Sequence, residues 1–215
     1  MSDTALTVAT EQEAEIARQE RQLAVTERWF DFSQREAKLL AASDYAPKAY
    51  KGNVANCVLV INLARRLNME PAVLMQNTAI IHGKPAFEAK FVIALINRSQ
   101  LFTRLHYVFT GEPSTDSWGC RVVTIEKATG ERIEGPLVTI AMAKADGWYA
   151  KEGSKWRSIP QQMLIYRAAT FFGRVYCPEV TLGLHTQDEV DDMTIDVRPV
   201  GPAALMDLIQ DPLGG

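Results

Sequence analysis

The alternation of hydrophobic and polar residues predicts helices around a small sheet. Apolar positions at helical spacing, together with cap and turn signals, predict six helices, at 33–42, Val54–Leu67, Glu70–Met75, Glu88–Arg98, Thr139–Ala145 and Ile159–Cys177. Short β-rich runs predict a hairpin and three further strands, at Thr78–Ile81 with Pro85–Phe87, and at Thr103–Thr110, Trp118–Glu126 and Arg132–Glu134. The pattern indicates an α+β fold: a three-stranded antiparallel sheet with a small extra hairpin, and helices packed on one face.

Helix boundaries follow from cap residues. Ser33 precedes Glu36 by three positions, and Ser158 precedes Gln161 in the same way, so each serine is predicted to open a helix through a capping box. Asn53 is the predicted N-cap of the next helix, Val54–Leu67, which is apolar on most sides and is therefore expected to be buried.

Charge divides the 215 residues into three parts. Residues 1–82 carry 9 Lys/Arg and 10 Asp/Glu, residues 83–178 carry 13 and 8, and residues 179–215 carry 1 and 8. The middle is therefore basic, which suits a polyanionic partner, and the end is strongly acidic. We predict an N-terminal helical arm over 1–32, a core domain over 33–190 and an acidic, flexible tail over 191–215.

Composition narrows the class of protein. No apolar run approaches the ~20 residues needed to cross a bilayer. Three distant cysteines without C-x-x-C spacing indicate free thiols in a reducing cytosol, so we expect a cytoplasmic location. The spacing of Gly83-Lys84 does not match a phosphate-binding loop, and the histidines fit no common metal or hydrolase motif.

One carboxylate cluster leaves an enzymatic alternative open. Asp188, Glu189, Asp191 and Asp192 would suffice to bind Mg²⁺, as in a metal-dependent nuclease. Because the cluster lies in an acidic run, solvation is the better explanation, and no chemical step is expected.

The most informative stretch runs from Lys144 to Val190. Its first part is a glycine-broken loop in which tryptophan and tyrosine alternate with lysine and arginine. The helix that follows carries Arg167 and Arg174, which are seven residues apart and so share one side. Such a surface would hold a phosphate backbone. Trp156 would either stack on a base or anchor the loop, and its place beside a helix start favours anchoring.

Two blocks of sequence resemble the RecT family of phage single-strand annealing proteins. The first is W-x-x-x-P-x-x-M-L-x-x-R-A from Trp156, followed by C-P-E-V from Cys177 and G-L-H-T-Q-D-E-V from Gly183. The second is Asn68–Phe102, with its H-G-K turn. The resemblance spans Pro71 to Val190. It implies a RecT-like core that binds single-stranded DNA and anneals complementary strands in recombination and repair, without ATP.

The resemblance also implies partners: further copies in a ring or helical filament, a phage exonuclease and a host single-strand binding protein, all in a bacterial cell. No cofactor is implied, with Mg²⁺ at most a modulator of DNA binding. The residues predicted to contact DNA are Lys144, Lys151, Lys155, Trp156, Arg157, Arg167 and Arg174, together with Arg104, Arg121, Lys84 and Lys90. A second alternative is a structural oligomer that binds no DNA.

Overall fold

A computed structural model describes residues 2–193 of the chain, with side chains for 14–190. The fold is α+β, as predicted, with small antiparallel sheets. The chain divides into two compact units, one ending at Thr78 and the other beginning at Ala79. The side chains of the predicted acidic tail, 191–215, lie outside the described residues. Within residues 2–193, no helix is both long and apolar enough to span a membrane.

Three helices build the first unit: α1 (Ser2–Ala42), α2 (Val54–Arg66) and α3 (Pro71–Gln76). Helix α1 continues through the predicted boundary between residues 32 and 33, so the predicted cap at Ser33 is wrong. Helix-forming residues flank Ser33 on both sides, and its buried hydroxyl accepts a hydrogen bond from Arg65 Nη2 at 3.2 Å instead.

Helix α2 packs on the C-terminal part of α1. It buries one side only, formed by Cys57, Val60, Ile61 and Ala64, whereas Leu59 is exposed. The expectation that α2 is a buried helix is therefore wrong, because one side of it, including Leu59, faces away from its neighbours. Its predicted cap is confirmed: the Asn53 side chain accepts a hydrogen bond from the Asn56 N–H at 3.0 Å.

The division between the units falls at the start of the predicted hairpin, formed by β1 (Thr78–Ile81) and β2 (Lys84–Phe87). His82 and Gly83 both have positive φ, at 49° and 76°, as a tight two-residue hairpin turn requires. Lys84 follows this turn and is exposed.

The central sheet has four strands rather than the predicted three: β3 (His106–Thr110), β4 (Gly119–Ile125), β5 (Arg132–Glu134) and β6 (Val138–Thr139). All pairs are antiparallel, and β5 and β6 bind different halves of the same edge of β4. The last predicted strand ends at Glu134, but the chain turns after it and pairs with β4 again as β6. A two-residue strand is too short to show alternation.

Helix α7 (Pro160–Tyr176) lies between the sheet and helix α4 (Ala89–Arg98). It packs on β4, whose buried face carries Val122 and Thr124. The other face of the sheet leaves Val108 and Ile125 exposed. Gly173 admits α4 closely, since a Cβ atom there would lie 3.1 Å from Ile96 Cδ1.

The remaining short helices connect these layers: α5 (Ile140–Ala145), α6 (Lys155–Ser158) and α8 (Gln187–Met193), with a 3-10 turn at Pro178–Thr181. The Thr139 hydroxyl caps α5, as predicted for a helix starting there. The predicted capping box at Ser158 is wrong, because Ser158 is the last residue of α6 and Ile159 precedes α7.

Candidate nucleic-acid interface

Arg167 of α7 is part of the core. Its side chain is only 6% exposed, and its guanidinium carbon lies 3.9 Å from the centroid of the Trp148 ring. A cation placed over an indole face is stabilised by the ring quadrupole, most strongly where water is excluded. Arg167 therefore fixes the loop of residues 146–154 against α7, which gives it a packing role that the sequence did not reveal.

Arg174 lies about two turns further along α7 and belongs to a second cluster of side chains. Its Nη2 atom lies 2.6 Å from Glu189 Oε1 and 3.1 Å from His185 Nδ1. Glu189 is 3% exposed, and its other oxygen accepts a hydrogen bond from the Thr186 N–H at 2.8 Å. The T-x-x-E spacing of this capping box was present in the sequence and was missed. Arg174 thus ties α7 to the start of α8.

The predicted site residue Trp156 packs against Trp148. Their ring centroids are 5.6 Å apart, and Trp156 is 3% exposed. Base stacking needs an open ring face, which these tryptophans do not offer. The favoured interpretation of Trp156 as an anchor is confirmed.

Several other predicted cations have protein partners. Lys144 lies 2.5 Å from Asp116 Oδ1, and this hydrogen bond raises the pKa of Lys144. Lys90 lies 2.6 Å from Glu88 Oε2, which raises its pKa in the same way. Arg157 donates to the backbone carbonyls of Tyr149 and Ala150 at 2.9 and 3.2 Å.

Arg121 lies on the exposed face of the sheet. It pairs directly across from Val108, on the same face as His106, and its Nη1 atom lies 2.8 Å from Glu134 Oε2. Arg104, another predicted DNA contact, precedes β3 and is exposed. Neither arginine lines the two depressions described next, to which Lys90, Lys151 and Lys155 contribute.

Lysines from two segments gather at two depressions on the second unit. One, of about 200 Å³, is lined by Lys151, Lys155 and Arg167 among others, and the second, of about 270 Å³, by Lys90, Lys155 and Tyr166. Both are lined by Lys155, Met163 and Asp188, so they adjoin along α6 and α7. The lining also contains the carboxylates of Glu88, Glu152 and Asp188. We call this surface the lysine groove.

The groove contains residues that the sequence did not single out. Tyr166 lines its second depression, where its hydroxyl oxygen accepts a hydrogen bond from Gln162 Nε2 at 2.5 Å. The three-residue spacing between Met163 and Tyr166 is a signal that could have placed them on one side of the helix.

Part of the carboxylate cluster at residues 188–192 has a structural role. Glu189 caps α8 and pairs with Arg174, and the side chains of Asp191 and Asp192 lie outside the described residues. Among the residues that the structure describes, no three His, Cys, Asp or Glu side chains are placed to hold a metal ion.

No protein-family model, no curated protein and no solved structure matches the chain.

Proposed function

We propose that this protein binds single-stranded DNA without ATP and anneals complementary strands, using a RecT-like core. The observation that carries the proposal is the lysine groove, in which Lys90, Lys151 and Lys155 come together from two distant segments. The sequence resemblance supports the same function, since both of its blocks line this groove: Lys90 belongs to Asn68–Phe102, and Met163 belongs to the block that begins at Trp156.

Annealing requires two anionic strands to approach each other, so cations must offset their repulsion. The groove supplies lysines, which bind phosphate as point charges without fixing a base sequence. The buried tryptophans leave the bases of a bound strand unstacked by protein and available for pairing. Sequence-independent pairing follows from this arrangement.

Carboxylates in the groove keep the affinity of one copy low. Glu88, Glu152 and Asp188 line the same depressions as the lysines and reduce their net attraction for phosphate. Several copies on one strand raise the overall affinity through effective concentration. The proposal therefore includes a homo-oligomer in a bacterial cytoplasm, acting in phage-type recombination beside an exonuclease and a host single-strand binding protein.

The salt dependence of DNA binding tests this proposal. The double variant Lys151→Gln plus Lys155→Gln removes two cations from the groove, and Lys127→Gln is the matched control, because exposed Lys127 lies outside it and bonds Gln100 Oε1 at 2.6 Å. Fluorescence anisotropy with a labelled oligonucleotide should show a log–log salt slope about 1.4 smaller for the double variant, since each single-strand phosphate contact contributes about 0.7. An unchanged slope in the double variant would place the DNA elsewhere.

A further inference from the structure

Helix α1 has a hydrophobic stripe that α2 covers only in part. Ile16, Leu23, Phe30 and Ala37 are seven residues apart, close to two full turns, so they lie along one side. Ala37 is buried beneath α2, whereas Leu23 is 60% exposed and Ile16 and Phe30 are also exposed. Arg65, near the end of α2, donates a hydrogen bond to Ser33, so α2 ends beside this part of α1. The stripe continues past that point towards the N-terminus of α1.

A second hydrophobic stripe lies on the opposite side of α1. Val25, Phe32 and Leu39 are again seven residues apart, and at 3.6 residues per turn they lie about 180° from Leu23. All three are exposed. Val25, Phe32 and the intervening Trp29 line a shallow depression of about 300 Å³. Single exposed apolar residues are ordinary, but aligned stripes of this kind mark interaction surfaces.

The charges that border the two stripes are of opposite sign. Glu20 and Glu27, each three or four residues from stripe positions, lie beside the first stripe, which we call the glutamate stripe. Arg21, Arg28 and Arg35 lie beside the second, the arginine stripe. The spacing is seven residues from Glu20 to Glu27 and along the three arginines, so charge and hydrophobicity repeat with the same period.

We propose that the glutamate stripe of one copy binds the arginine stripe of another copy of this chain. The contact would continue the interface that α2 already makes with α1, and it would place opposite charges beside each apolar seam. Pairing of two glutamate stripes or of two arginine stripes would bring like charges together. When the two stripes of different copies pair, each assembly still has one unpaired glutamate stripe and one unpaired arginine stripe at its ends. Further copies can bind there, so the contact produces an open filament or a closed ring.

Two single variants of the full chain test this contact by blocking one stripe each. Leu23→Asp disrupts the glutamate stripe, and Phe32→Asp disrupts the arginine stripe. Each variant keeps one working surface and should remain monomeric, with self-association weakened at least about tenfold by the loss of one large apolar contact. Mixed in equal amounts, the two should form a 1:1 dimer that grows no further, as read by sedimentation velocity without DNA.

Charge reversal provides an independent test. Arg21→Glu plus Arg28→Glu should abolish assembly, and adding Glu20→Arg plus Glu27→Arg to the same chain should restore it, because the two stripes are complementary again. Circular dichroism checks that each variant keeps its helix content. Three results would overturn the proposal. Either Asp variant could form homodimers, all the substitutions could leave assembly unaffected, or the unmodified chain could stay monomeric at tens of micromolar. Its outcome is separate from single-oligonucleotide binding, which uses the lysine groove.

Discussion

Replacing Arg174 with methionine should destabilise the second unit, although Arg174 was predicted to contact DNA. The substitution removes the partner of Glu189, a carboxylate that is 3% exposed and lies 2.6 Å from Arg174 Nη2. Removing one partner of a fully buried ion pair costs about 3–5 kcal/mol, because a buried charge is left uncompensated. The Arg174 side chain is 42% exposed, so solvent screens this pair, and we expect a cost of about 2 kcal/mol.

Urea unfolding measures this loss, with fluorescence from Trp148 and Trp156 reporting on the second unit. With a slope of about 2 kcal/mol per molar urea, the midpoint should fall by about 1 M. Arg174→Lys keeps the charge and is the matched control, with an expected shift of less than half as much. Adding Glu189→Gln to Arg174→Met should recover part of the loss, giving a coupling energy of about 1 kcal/mol or more.

The opposite pattern would refute the structural role of Arg174. An unfolding midpoint unchanged by Arg174→Met, together with weaker binding to an oligonucleotide, would mean that the guanidinium contacts phosphate and contributes little to α8.

Further predictions concern the sheet, the buried phenols and the thiols. Gly111→Ala should lower the free energy of unfolding by well over about 2 kcal/mol in a urea titration, because φ is +76° and the new Cβ would lie 2.1 Å from the Ser117 carbonyl oxygen. Gly130 has the same φ but open space around it, so Gly130→Ala is the control and should cost only about 1 kcal/mol. Tyr107→Phe should leave stability unchanged or raise it by up to about 1 kcal/mol, because the buried hydroxyl has no hydrogen-bond partner among the described residues. Burial raises the pKa of Tyr50 and Tyr107 to about 12, whereas the phenols of the unfolded state titrate near 10. The unfolded state therefore loses these protons first, and the free energy of unfolding should fall between pH 10 and 12. A series of unfolding titrations at different pH should show this fall, and it should be less steep in Tyr107→Phe. Burial also raises the pKa of Cys120 to about 11 and of Cys177 to about 12, so an ionic disulfide reagent at pH 8 should label neither thiol until urea is added.

Local signals in the sequence predicted most of the elements, and failed where tertiary contacts decided the outcome. Asn53 and Thr139 were recognisable as helix starts because each side chain bonds an N–H three residues ahead. Ser33 carries the same signal, but packing against α2 gives its hydroxyl a different partner, Arg65, 32 residues away. Strand β6 was missed because it is defined only by its pairing with β4.

The candidate site was harder to predict than the fold. The seven-residue spacing placed Arg167 and Arg174 on one side of a helix, but their partners Trp148 and Glu189 come from other segments. Likewise, Lys144 meets Asp116 from 28 residues away. Sequence shows which residues carry charge, whereas burial and pairing determine which of those charges remain available to a ligand, and these depend on the assembled fold.

Strand annealing through the lysine groove can be tested by adding two complementary labelled oligonucleotides in turn to the purified protein without ATP. We expect annealing faster than in buffer, with both strands intact, slowed by added salt and by Lys151→Gln plus Lys155→Gln but unaffected by Lys127→Gln. Annealing no faster than in buffer, or equal rates for the double variant and the unmodified chain, would contradict the claim, and shortened strands would indicate a nuclease.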